Sequence, residues 1–237
     1  VPDSTSSAPG KPQTVETVLL DAGGVLLDLD YAFVRRLLDA RGCEVEEDAI
    51  ARAEARARAE IHRRVSEGGR SRDAWRDYFH IILGHAKLPA DGHEAVIDTL
   101  WDAHQRFGLW TVPVAGAVET VHELKRGGYR LGVVSNAEGR VERDLAAAGF
   151  DGLFEAIVDS HVVGVEKPDP EIFRIALEQV GAKAETTVFV GDVPAVDIAG
   201  ARAAGIAPVL LDRHDVYRDT DVPRLTLIQE LPGWIDS

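Results

Sequence analysis

The chain of 237 residues sets 26 Lys and Arg against 40 Asp and Glu, a formal charge of −14, with 45% of its residues hydrophobic. That apolar content can fill one large domain, or a core plus an insertion, while the acidic excess disfavours nucleic acid and anionic membranes as partners. The single cysteine, Cys43, excludes an internal disulfide and a Cys-rich metal site, and suits the reducing cytoplasm.

Residues 1–14, rich in Ser, Pro and Gly, read as a mobile tail rather than a signal peptide. No apolar run approaches the roughly 20 residues that span a bilayer. Thr17–Leu20 is a short, β-branched apolar run that breaks at Asp21 and the Gly23-Gly24 pair, which predicts a buried strand with Asp21 at its carboxyl end. Strand patterning then disappears over residues 29–110. Within 45–65, Ile50, Ala53, Ala57, Ile61 and Val65 recur at helical spacing, with Glu54 and Arg58 as an i,i+4 ion pair. Residues 29–110 therefore read as a helical insertion, with 15–28 and 111–237 forming the core. Its aromatics, Trp75, Tyr78, Phe79, Trp101, Phe107 and Trp110, are expected to pack the helices together, and Arg52, Arg56, Arg63 and Arg64 to face water.

Beyond Pro113 strands and helices alternate. A helix over Ala117–Arg126 precedes a strand that begins at Arg130 and ends at Ser135-Asn136. A helix over 140–148 is followed by a short strand, Ala156–Asp159. Asp169, Pro170 and Glu171 supply an N-cap, a first-turn proline and a first-turn acid for a helix closed by Gly181. The strand Thr187–Gly191 ends at Asp192, a helix covers 195–204, and Pro208 opens the last clear strand. This alternation predicts an α/β fold, a Rossmann-like parallel sheet whose ligands bind beyond the carboxyl ends of its strands. Asp21, Ser135 and Asp192 would meet there.

A carboxylate nucleophile is repelled by a phosphate dianion unless a cation intervenes. Asp21 and Asp192, on two strand ends, suit an octahedral Mg²⁺ that also takes phosphate, carbonyl and water oxygens. Lys167 adds a fixed positive charge. The Ser135 hydroxyl and the Asn136 amide can hydrogen-bond phosphoryl oxygens, and Asp197 can orient a metal-bound water or hold Lys167.

Four segments, Asp21-Ala-Gly-Gly-Val-Leu, Val133-Val-Ser-Asn, Glu166-Lys-Pro-Asp-Pro and Val190-Gly-Asp-Val-Pro-Ala-Val-Asp197, resemble the four ordered motifs of the haloacid dehalogenase-like hydrolase superfamily. The resemblance runs from about Thr17 to Asp212. It implies a Mg²⁺-dependent phosphatase acting on a small phosphorylated metabolite through an aspartyl-phosphate on Asp21. Ser135 would donate to phosphate, Lys167 would stabilise charge, and Asp21, Asp192, Asp197 and the Gly23 carbonyl would serve the metal. The helical insertion resembles the family's α-helical cap.

Gly23 departs from the pattern. Most phosphatases of the superfamily carry a second Asp there, which protonates the leaving group, and a general acid contributes about 10² to 10⁴ in rate. Good leaving groups such as anomeric, acyl or aryl phosphates tolerate the loss, and Asp28 or Asp30 could supply an acid instead. A 2-haloacid dehalogenase also lacks the second Asp, but that branch uses no Mg²⁺ and has a different last motif. A phosphonate-cleaving relative needs a cap lysine, for which only Lys87 is present, and a phosphosugar mutase needs the missing acid. A non-catalytic phosphate-ligand-binding protein is the reading from outside enzymology.

Overall fold

The computed structural model describes residues 10–66 and 74–237. Residues 1–9 of the expected tail and the side chains of Ile61, Arg64 and Val65 lie outside the described residues. Six strands form one sheet in the order β5-β4-β1-β6-β7-β8, where β1 is Thr17–Leu20, β4 Arg130–Ser135, β5 Ala156–Asp159, β6 Thr187–Gly191, β7 Ala207–Leu211 and β8 Arg224–Leu225. Every pairing is parallel.

The strand interiors are mostly apolar because helices cover both faces. Successive residues point to opposite sides, so Val18, Leu20, Val133, Val188, Val190 and Val209 join one cluster with helices α5 (Ala117–Arg126) and α10 (Leu231–Asp236). Leu19, Val134 and Phe189 join a second with α8 (Pro170–Val180) and α9 (Ala199–Ala203). Helix α8 starts and stops where its residues dictate. Asp169 accepts from the Glu171 amide at 2.9 Å, Pro170 opens the first turn, and Gly181 closes the helix in the left-handed conformation.

Between β1 and β4 the chain forms α1 (Tyr31–Asp39), α2 (Glu47–Ser66), α3 (Ala74–His85) and α4 (His93–Phe107). These helices share an apolar cluster of their own around Val34, Leu38, Ile50, Ala57, Phe79, Ile82, Ile97 and Leu100. A fully buried Val, Leu, Ile or Phe of this cluster contributes about 1.5–3 kcal/mol. Its two ends are tied by an antiparallel pair, β2 (Leu27–Leu29) and β3 (Trp110–Pro113). That ribbon is absent from the sequence reading because strands this short show no usable alternation.

Two expected helices are interrupted. The one over 140–148 is α6 (Val141–Leu145), continued by a wide π turn, Ala146–Phe150. The one over 195–204 begins as a π turn, Pro194–Ile198, before α9. Pro194 opens that turn, where its missing amide proton costs no hydrogen bond, and the wider turn carries Asp197. A four-residue helix, α7 (Ser160–Val163), follows β5. Among the described residues no helix is long and apolar enough to cross a membrane.

Candidate active site

Parallel pairing brings three strand ends together. The Asp21 amide, just past β1, donates to Val190 O at 2.9 Å. Ser135 ends β4 on one side of it, and Asp192 follows β6 on the other. The chain turns from β1 toward β4 and β5, then crosses to β6 and β7, so β1 lies at the point where the strand order reverses. A cavity of about 320 Å³ opens there, and Asp21, Gly23, Ser135, Asn136, Lys167, Asp192 and Asp197 all line it. The residues of the four motifs proposed for the site from sequence are thus brought to one place.

Lys167 is 2% exposed. Its Nζ lies 2.8 Å from Asp21 Oδ1 and 2.7 Å from Asp197 Oδ1. The Asn136 side chain grips the same lysine by its backbone: Nδ2 donates to Lys167 O at 2.9 Å, and Lys167 N donates to Asn136 Oδ1 at 2.7 Å. Asn136, expected to bind phosphoryl oxygens with its amide, instead spends both ends of that amide fixing the loop that presents Lys167. Asp197 is similarly engaged, because Oδ2 accepts from the amides of Asp192 at 3.0 Å and Val193 at 2.8 Å. Position 191 must be glycine for this, since a Cβ there would stand 2.4 Å from Asp197 Cβ.

Carboxylate oxygens of Asp21, Asp192 and Asp197 lie within 4.8 Å of one another, and all three residues are buried. An all-oxygen, anionic donor set fits a hard divalent cation. Burial, followed by the charges of Asp197 and Asp192, pushes the Asp21 carboxyl up to about 7 despite the opposing Lys167. Burial likewise pushes Asp192 up to about 6 against the pull of Arg58 and Lys167. Lys167 moves the other way to its burial: the two carboxylates it touches hold its ammonium above the ordinary value. The site is a carboxylate cluster short of positive charge.

Helix α2 supplies two residues that the sequence pattern marks only as an i,i+4 ion pair. Arg58 Nη1 donates to Asp192 Oδ2, and Nη2 donates to Glu54 Oε1 at 2.7 Å. Glu54 is 1% exposed and also accepts from the hydroxyls of Tyr31 and Tyr78, the latter at 2.6 Å, and from Trp110 Nε1 at 3.3 Å. Burial alone would raise its carboxyl, but Arg58 and the tyrosine hydrogen bonds outweigh it and hold Glu54 below the usual range. The pattern did contain a sign of this. Glu54 falls four residues after Ile50 and three before Ala57, inside the apolar stripe.

The aromatic residues divide. Phe79 is fully buried among the helices, whereas Trp75, Tyr78 and Trp110 also form a wall of the cavity, and Trp101 and Phe107 are 42% and 72% exposed. Neither acid considered as a substitute for the one missing at Gly23 reaches the cavity. Asp28 is paired with Arg213 at both oxygens, and Asp30 caps α1 by accepting from the Phe33 amide at 2.8 Å.

A family model described as haloacid dehalogenase-like hydrolase matches residues 15–205. Haloacid dehalogenase-like hydrolase domain-containing protein 3 of Mus musculus is 32% identical over 178 residues, covering 73% of this chain and 70% of that protein. Glyceraldehyde 3-phosphate phosphatase of Methanothermobacter thermautotrophicus is 39% identical over 110 residues, 46% of this chain and 49% of that protein. Among solved structures, the HAD-hydrolase YfnB from Bacillus subtilis, bound to magnesium, superposes with a TM-score of 0.70 at 22% identity over 95% of this chain and 100% of that one. At that identity the likeness is one of fold.

Proposed function

The chain belongs to the haloacid dehalogenase-like hydrolase family, and we propose that within it the protein is a Mg²⁺-dependent phosphatase of a small phosphorylated metabolite, with Asp21 as nucleophile and α1–α4 as its cap. The observation that carries this reading is the buried Lys167 bridging Asp21 and Asp197 beside Asp192, at the floor of the cavity. Asp21, Asp192 and the Gly23 carbonyl would hold Mg²⁺, which supplies the positive charge that lets a carboxylate approach a phosphate. Asp197 fixes Lys167 and the loop after β6, and Ser135 and Lys167 face the phosphoryl oxygens.

An Asp21 carboxylate oxygen attacks phosphorus, the ester P–O bond breaks, and the leaving oxygen departs with its electron pair. Water then attacks the aspartyl-phosphate, releasing inorganic phosphate and restoring the carboxylate. Hydrolysis of an aryl phosphate is expected to need Mg²⁺ and to stop on chelation. Turnover that persists in excess chelator would exclude this mechanism and favour the halide-releasing branch. The cluster of Asp21, Asp192 and Asp197 argues against that branch. Phosphate binding without turnover, with Mg²⁺ present, would support the non-catalytic reading, for which Gly23 is the motive.

Metal and protons compete for the same carboxylates. The pKa values of Asp21 and Asp192 are raised on folding, so the metal-free protein takes up protons as pH falls from about 7 towards 4, gains stability over that window, and loses it as pH rises again. Mg²⁺ at about 100 times its Kd is expected to raise Tm by about 5–10 °C at pH 8 and by much less at pH 5. Differential scanning fluorimetry reads this directly, and a shift independent of pH would contradict metal binding at these acids.

Gly23 leaves no side chain to protonate the leaving group. The rate of the wild-type protein is expected to fall steeply as leaving-group pKa rises. The backbone at Gly23 is not left-handed, and a Cβ there would meet Trp110 Cδ1 at 3.7 Å, an ordinary contact, so an aspartate can be accommodated. In Gly23→Asp, kcat/KM for alkyl phosphates relative to aryl phosphates is expected to rise by about tenfold or more. A flat wild-type series would show that chemistry does not limit the rate or that another group already supplies the proton, and the idea of a missing acid would fail.

A further inference from the structure

Helix α2 reaches the carboxylate cluster through the side chain of Arg58. Arg58, 14% exposed, is shared between Glu54 on its own helix and Asp192 in the core, 134 residues away in sequence. The loop after β1 clears a path for it at Gly24, whose φ is +77° and where a Cβ would overlap both the Arg58 guanidinium and Asp192 Oδ2. Lys167 is shared in the same way between Asp21 and Asp197. Four carboxylates thus face two cations. Fully ionised, the group has two surplus negative charges, the charge that one divalent cation neutralises.

We propose that Arg58 is the metal's competitor for Asp192: the guanidinium and a divalent cation exclude one another on that carboxylate, and metal loading moves Arg58 onto Glu54 alone. This inference rests on the reading of the cluster as a Mg²⁺ site. The N–H donors of Arg58 and a metal ion seek the same lone pairs on the Asp192 carboxylate. Glu54 makes the exchange possible. Fixed by Tyr31, Tyr78 and Trp110, it keeps the guanidinium paired after Asp192 is given up, so no buried charge is left uncompensated. Since Arg58 is on the helical layer and Asp192 on the sheet, metal loading removes a direct tie between the two. Coupling is reciprocal, so Arg58 weakens metal binding by the factor with which metal weakens the ion pair.

The test is calorimetric titration of the metal-stripped protein with Mg²⁺, in wild type and Arg58→Gln, alongside hydrogen exchange of α2 with and without Mg²⁺. Arg58→Gln is expected to bind Mg²⁺ about tenfold more tightly. In wild type, Mg²⁺ is expected to speed exchange of the α2 amides around Glu54 and Arg58. Equal or weaker Mg²⁺ binding by a folded Arg58→Gln overturns the competition. Should that variant not fold, wild-type exchange decides alone, and α2 amides unchanged or slowed by Mg²⁺ overturn it equally. Absence of Mg²⁺ binding in wild type would remove the phosphatase reading and this inference together, whereas binding of equal strength in both proteins removes only the competition.

Discussion

In Asp21→Asn, turnover is expected to fall by about 10⁴-fold or more while the fold persists, because an amide of nearly the same shape has no anionic oxygen with which to attack phosphorus. Asp21 is buried and its backbone amide is tied to Val190 O in β6, so the substituted side chain keeps its place. The exchange also removes one of three mutually repelling carboxylates. The pH dependence of Tm should therefore flatten between about 4 and 7, where Asp21 takes up its proton. Phosphate release in single-turnover experiments, with near-ultraviolet circular dichroism as the check on folding, measures the effect. Activity retained at more than a few per cent of wild type would show that another group attacks.

Lys167→Met should damage stability as well as rate. The ammonium, 2% exposed, is shared by Asp21 and Asp197, and removing one partner from a buried ion pair costs about 3–5 kcal/mol because the charge left behind is uncompensated. An apolar residue of similar length isolates that loss from any cavity. Lys167 also opposes the rise in the Asp21 pKa, so without it the carboxyl moves further up. The attacking form is the carboxylate. Residual activity should then climb with pH over a more alkaline range than in wild type, on top of a loss of about 10³-fold in kcat from the missing phosphoryl stabilisation. Urea denaturation and a pH–rate profile test the two parts separately. A stability loss below about 1 kcal/mol would place Lys167 with surface pairs, contrary to its burial.

Position 58 is where sequence and tertiary structure part company. Strand ends were legible because β-branched runs broken by Asp21, Ser135 and Asp192 obey local rules: burial on both faces makes a parallel strand continuously apolar, and a turn residue ends it. The caps of α8 were legible for the same reason, since Asp169, Pro170 and Gly181 act on backbone groups within a turn of themselves. Convergence of Asp21, Gly23, Ser135, Asn136, Lys167, Asp192 and Asp197 on one cavity follows once a parallel sheet is granted. Which partner each side chain takes did not follow. Asn136 could equally have faced a phosphate, yet it grips the Lys167 backbone. Asp28 and Asp30 could have replaced an acid at Gly23, yet one is held by Arg213 and the other caps a helix. Glu54 and Arg58 have the spacing of a solvated pair, and only the packing of α2 against the sheet's carboxyl edge buries them beside Asp192. Periodicity reports what a residue does within its own element. The charge it meets across 134 residues of sequence is set by how the elements are stacked, and that is decided by the tertiary structure alone.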